Sequence, residues 1–133
     1  MKLYVAAPWA KKAAAVLAKR RCEARGFRVV STWTEQPDSE DAAFAERSPV
    51  DYALSDWREL CDADALLLLF PQVVSMGKAT EFGAALALSI PVIIVGDDGT
   101  KGRNIFYHLP GVEFAVSIDE ALNRLRDMTR TMD

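Results

Sequence analysis

Glu81 is the residue whose surroundings most demand an explanation. It lies in residues 75–95, "SMGKATEFGAALALSIPVIIV", between Gly77 and Gly83, where an alanine- and leucine-rich segment begins. An acid at a helix start answers the positive end of the helix dipole, and Lys78, three residues earlier, could pair with it. The same carboxylate, kept ionised there, could be a nucleophile or a base. Local reasoning leaves both open. The two glycines permit a turn and tight packing, and equally the close approach of a ligand.

Three other residues could join such chemistry. Ser75 is either a helix cap or an anion donor beside a helix N-terminus. Asp56 follows Ala53 by three residues and precedes Leu60 by four, so it flanks an apolar stripe, at a pocket rim or a plain boundary. Tyr4, inside an apolar run, is core packing or a hydroxyl aimed at a carboxylate. Trp33 and Phe44 could cover a flat ring or simply pack. His108 is the only histidine, so no metal site is expected. The chain carries no P-loop, no GxGxxG and no arguable Ser-His-Asp set.

The elements that must position these residues are legible as alternation. "KLYVAAP", "FRVVSTW", "DALLLLF", "PVIIVG" and "VEFAVS" read as strands. Between them, "AKKAAAVLAKRRCEARG" reads as a helix with Ala13, Val16 and Leu17 on its inner side and Gly26 as its cap. Ser48-Pro49-Val50-Asp51 is a helix start. It leads a periodic set of Val50, Ala53, Leu54, Trp57, Leu60 and Cys61. "KATEFGAALALS" reads as a buried helix. Ser117 and Glu120 form a capping box for a last helix, with Ile118, Ala121, Leu122, Leu125 and Met128 inward. "TEQPDSEDAAFAER" is a loop or a short mobile helix, and "DDGTKGRN" a loop. The expected fold is a single α/β domain spanning residues 1–133. It is doubly wound, with a five-stranded, mainly parallel sheet and helices on both faces, flavodoxin-like or Rossmann-like. Ligands of such sheets bind outside the strands' carboxyl ends. That draws attention to residues 6–9, 71–81 and 96–106.

Bulk properties narrow the partners. The chain has 133 residues, half of them apolar, and a net charge of −3. No broad basic face is expected, which argues against duplex nucleic acid. The apolar run around "AALALSIPVIIV" is broken by Pro91 and too short to cross a bilayer. "MKLYVAAP" lacks the run and cleavage site of a signal peptide. Cys22 and Cys61 have no CxxC spacing and are expected as buried thiols. A cytoplasmic protein is the expectation.

With those motifs in place, the chain resembles the nucleoside 2-deoxyribosyltransferase superfamily, which includes 2′-deoxynucleoside 5′-phosphate N-hydrolases. The resemblance runs from "KLYVAAPW" through "SDWRELCDADALLLLF" and residues 75–95 to about Phe106. Its most specific part is a small-residue loop followed by E-x-G-x-A-L-A-x-x-x-P-V. It implies cleavage of the bond between a base and C1′ of deoxyribose, with no metal or organic cofactor. Glu81 matches the glutamate that captures the sugar, Tyr4 the tyrosine that orients it, and Asp56 the aspartate that handles sugar or leaving base. Ala6, Pro8, Trp9, Ser75, Gly77, Asn104 and Phe106 match substrate-binding positions. Ser75 matches the hydrolases' phosphate-binding serine. "APWAKK", however, replaces their glycine- and arginine-containing loop, leaving Lys11 and Lys12 to supply the charge. The resemblance also implies a homodimer or higher homo-oligomer, in which residues 103–107, from Arg103 to Tyr107, complete the neighbour's site. The alternative is a non-catalytic nucleotide-binding module of the same fold. A flavodoxin-like redox protein is a third reading, without a dedicated flavin loop to support it.

Overall fold

The computed structural model describes residues 1–38, 41–96 and 104–132. Along the chain it runs β1 (Lys2–Ala6), α1 (Lys12–Ala24), β2 (Arg28–Val29), α2 (Pro49–Asp62), β3 (Ala65–Leu69), α3 (Met76–Ala87), β4 (Val92–Val95), β5 (Val112–Ala115) and α4 (Ile118–Met132). Short 3-10 turns cover Trp9–Lys11, Trp33–Glu35, Ala42–Glu46 and Ile105–His108. The strands form one sheet in the order β2-β1-β3-β4-β5, and every pair is parallel.

The physical reason is visible in β3. All five of its residues are buried, as a strand sandwiched between helices must be. Parallel neighbours need crossover helices, and right-handed crossovers put α1 and α2 on opposite faces. α1 and α4 pack together on one face, and α2 and α3 cover the other. Strand order reverses between β1 and β3, and that is where such a sheet opens a crevice. Leu67, fully buried in β3 and paired with both Val5 and Ile93, sits at the centre of this core. Leu67→Ala is expected to cost about 2–5 kcal/mol, read as a lower denaturant midpoint at unchanged slope.

Several sequence expectations change on contact with the structure. β2 is two residues long rather than the seven of "FRVVSTW". Beyond it, side chains replace the ladder. The Val5 N–H donates to Ser31 Oγ at 3.0 Å, and the Trp33 indole donates to the Val5 carbonyl at 2.7 Å. α1 turns Ala15, Ala18 and Cys22 inward, not Ala13, Val16 and Leu17; Leu17 is largely exposed. Small residues let the helix lie close to the sheet, so alanines rather than the larger side chains define its inner face.

α2 departs further. Of its expected apolar set only Leu60 is buried; Val50, Ala53, Leu54, Trp57 and Cys61 lie outward. Tyr52 and Leu60 are buried instead, and Asp56 and Glu59 are half-buried beside them. The α3 segment is not buried all round: Lys78, Phe82 and Ala85 face in, while Ala79, Thr80 and Gly83 are exposed. Cys22 is buried and its thiol pKa is pushed up to about 11 by that burial, but Cys61 is exposed. The helix starts and caps hold. Ser48 and Asp51 close a reciprocal box, Gly26 takes φ 87° after α1, and the inner face of α4 is as expected. No described helix is long and apolar enough to cross a membrane.

Candidate active site

Glu81 stands in the second turn of α3, on the face turned to β1. Ser75 caps that helix: its hydroxyl accepts the Lys78 N–H at 3.2 Å, and its carbonyl accepts the Ala79 N–H at 3.0 Å. The Ser75 hydroxyl proton remains available to another acceptor. Lys78 does not pair with Glu81. Its ammonium is buried, with 2% exposure, and donates to the carbonyls of Phe70 and Val73, the latter at 2.7 Å. Phe70 has φ 55°, a left-handed conformation that a bulky side chain adopts only under constraint. Lys78 thus ties down a strained turn between β3 and α3. Burial pushes its pKa down to about 8.

Tyr4 reaches the same place from β1. The residue is fully buried, and no described group meets its hydroxyl in hydrogen-bonding geometry. Yet it is close enough to Glu81 for each to shift the other's titration. The hydroxyl is therefore a buried polar group beside Glu81. Burial, then the charge of Glu81, pushes the Tyr4 pKa up. Burial pushes the Glu81 pKa up to about 7; Tyr4 opposes this shift and the charge of Asp56 adds to it. Burial also raises the Asp56 pKa, against a hydrogen bond from Gln36 Nε2 to Asp56 Oδ1 at 2.8 Å. Two carboxyl groups and a phenol thus converge on one cleft at the sheet's switch point.

That cleft holds about 200 Å³ and is lined by Ala7, Trp9, Trp33, Gln36, Asp56, Ser75, Gly77, Lys78 and Glu81. A second cleft of about 170 Å³ continues from it, sharing Ser75 and Lys78 and reaching Asn104 and Tyr107. Of the residues expected from sequence, the structure brings Glu81, Asp56, Trp9, Ser75 and Gly77 together, with Tyr4 behind Glu81. Ala6 and Pro8 are buried beneath the wall rather than on it. Asn104 lies in the second cleft, where its Oδ1 accepts the Phe106 N–H at 3.0 Å, and Phe106 is exposed. Arg103 lies outside the described residues. Phe44 stacks on Tyr52, 5.0 Å between centroids, and does not line the cleft.

Neither Lys11 nor Lys12 offers its charge to the cleft. Lys11 lies over the Phe70 ring at 5.2 Å, while Lys12 donates to the Gln36 carbonyl and lies over the Trp9 ring at 4.4 Å. Gln36 is the lining residue that sequence reasoning passed over. It sits in a polar, acidic stretch with no periodicity, and its contact with Asp56 spans 20 residues. Among the described residues no group of three or more His, Cys, Asp or Glu is arranged to hold a metal ion. A larger cavity of about 490 Å³ lies between α1 and α4 on the opposite face. Its lining is mostly apolar, and its one charged residue, Arg21, is held by Asp119 at 2.9 and 3.0 Å, so it offers no comparable chemistry.

Fold and cleft together describe a doubly wound, wholly parallel α/β protein with two partly buried carboxyl groups at its switch point. Solved structures share this fold. A conserved protein from Enterococcus faecalis superimposes with a TM-score of 0.64 at 18% identity, over 93% of this chain and 98% of that one. A 2-deoxyribosyltransferase from the psychrotolerant bacterium Bacillus psychrosaccharolyticus does so with a TM-score of 0.67 at 20% identity, over 92% of this chain and 91% of that one. The fold implied by the sequence resemblance is the fold observed. No family model matches the chain, and no curated protein matches it.

Proposed function

We propose that the protein is a single-domain enzyme that cleaves the N-glycosidic bond of 2′-deoxynucleosides through a glycosyl-Glu81 intermediate. The observation that carries this reading is Glu81 itself: a largely buried carboxyl group lining the cleft at the sheet's switch point, with Tyr4 beside it. A carboxylate can stabilise the oxocarbenium-like charge that develops at C1′ and then capture the sugar. Attack by Glu81 forms the O–C1′ bond as the C1′–N bond breaks, and the electron pair leaves with the base. Asp56, whose pKa burial raises, gives the departing base its proton while Gln36 Nε2 holds that carboxyl, and it recovers the proton from the incoming water or base in the second displacement. A second displacement, by water or by another base, frees Glu81 with net retention. Trp9 and Trp33, 5.9 Å between centroids, supply flat apolar walls for a heterocycle. The likeness to a 2-deoxyribosyltransferase supports the transfer outcome, and hydrolysis is the other fate of the same intermediate.

The free nucleoside is the preferred substrate in this reading. Lys11 lies over Phe70, Lys12 and Lys78 are tied to backbone carbonyls, and the charges of Asp56 and Glu81 oppose a phosphate dianion. Ser75, whose hydroxyl can still donate at the N-terminus of α3, supports the 5′-monophosphate as the second reading. The exposed side of α2 (Val50, Leu54, Trp57) and the nearby exposed Val74 and Met76 support a homo-oligomer. The test is chromatography of free base released from a panel of deoxynucleosides and their monophosphates, with and without an acceptor base. Release from nucleosides, absent in Glu81→Ala, is the expected result. Binding without release would instead make the protein a nucleotide-binding module. Monophosphate cleavage that Ser75→Ala abolishes would overturn the nucleoside preference.

A further inference from the structure

We propose that Lys12 is a positioning residue that holds Trp9 and the backbone of Gln36 together at the base-binding end of the cleft, and so governs how tightly substrate binds rather than how fast it reacts. The inference rests on the functional reading above. It starts from an oddity of sequence: α1 begins with lysines and has no acid in its first turn. A cation at a helix N-terminus opposes the dipole, so something other than helix stability accounts for Lys12.

The structure supplies that role. The Lys12 ammonium donates to the backbone carbonyl of Gln36, across 24 residues of chain. It also lies over the Trp9 ring, 4.4 Å from its centroid. Both residues line the cleft, and each has further anchors. The Gln36 side chain is held by Asp56 at 2.8 Å, and the Trp9 indole donates to Asp38 at 2.7 Å. The strap that carries Gln36 and Asp38 begins at Trp33, which is tied to β1 through the Val5 carbonyl. After Trp33 the strap leaves the sheet. Among the described residues its backbone makes turn hydrogen bonds, from the Glu35 and Gln36 N–H groups and to the Asp38 carbonyl. The Lys19–Glu35 ion pair is long, at 3.4 Å, and largely exposed on the Glu35 side. Lys12 thus adds a second tie between the strap and the tryptophan beside the direct Trp9–Asp38 bond, and it fixes the tryptophan ring against the Gln36 backbone itself. A charged hydrogen bond combined with a cation–π contact is a strong way to fix that arrangement.

Lys12→Met keeps most of the aliphatic stem and removes the ammonium. In the ligand-free variant, the hydrogen-bonded amides of Glu35 and Gln36 should exchange with solvent about ten-fold faster, while those of β3 keep their protection. The KM for the nucleoside should rise about ten-fold with kcat within about two-fold, because the lost contact acts on bound substrate and transition state alike. Lys12→Arg, which retains charge and donors, should recover part of both. Unchanged strap exchange, or an unchanged KM, overturns the proposal. So does a fall in kcat at constant KM. If wild type releases no base at all, nucleoside affinity by calorimetry takes the place of KM. Weaker binding by Lys12→Met then sustains the proposal while the enzyme reading fails, and equal binding ends both.

Discussion

Glu81→Gln is expected to release base about a thousand-fold or more slowly than wild type, and to be the more stable protein above neutral pH. The two effects have one cause. Burial pushes the Glu81 pKa from an ordinary carboxyl value near 4.5 up to about 7, so the folded protein holds a proton there that the unfolded chain releases. The folded state is not penalised below about pH 4.5, where both states are protonated. Stability falls as pH rises through the folded value near 7, and above it the protein carries the full cost of a buried carboxylate. A shift of this size corresponds to a cost on the order of 3 kcal/mol. Glutamine has nearly the same shape and no charge, so the variant should unfold at higher denaturant at about pH 8 and match wild type at about pH 4.5. Denaturant titrations at the two pH values check this. A destabilised Glu81→Gln at high pH would mean that the carboxylate is held by favourable contacts and is not a strained reactive group. The wild-type kcat/KM should accordingly rise with pH through about 7, as Glu81 ionises.

Tyr4→Phe should displace that rise. The neighbouring Tyr4 hydroxyl acts to lower the Glu81 pKa. Without it the acid limb of kcat/KM should move up by about one pH unit, leaving the rate about ten-fold lower on the acid side and closer to wild type at high pH. Stability should move in the other direction at low pH. The Tyr4 hydroxyl is fully buried without a partner, and phenylalanine removes it, a gain of about 1 kcal/mol near pH 5. At higher pH the ionised Glu81 loses a donor, which offsets the gain. A uniform loss of rate at every pH would contradict this, since it would place Tyr4 in packing rather than in the tuning of Glu81.

What could be read from the chain was whatever has a local signature. β3 announces itself as a continuous apolar run, α2 by its Ser-Pro-x-Asp start, and α4 by its capping box. Glu81 and Ser75 were legible because a loop and a helix N-terminus follow a buried strand, and in a parallel sheet that junction is where ligands meet the fold. Side-chain orientation was less legible. Leu17 and Trp57 have the right spacing to face inward and do not, because alanines let α1 lie close to the sheet and because α2 turns Asp56 and Glu59 inward. Contacts between distant segments were not legible at all. Nothing near Gln36 points to Asp56, and nothing near Lys12 points to the Gln36 carbonyl. Lys78 looked like a partner for Glu81 by spacing alone, but two carbonyls of a tight turn take its ammonium instead.

The central claim is that the Glu81 carboxylate bonds to C1′. The most direct measurement is peptide mass spectrometry of protein quenched during turnover of a 2′-deoxynucleoside. The expected result is a deoxyribosyl adduct on the peptide containing Glu81, present in wild type, absent in Glu81→Gln, and lost when an acceptor base is added before the quench. Base release with the adduct on another residue, or undiminished release by Glu81→Gln, would contradict the account.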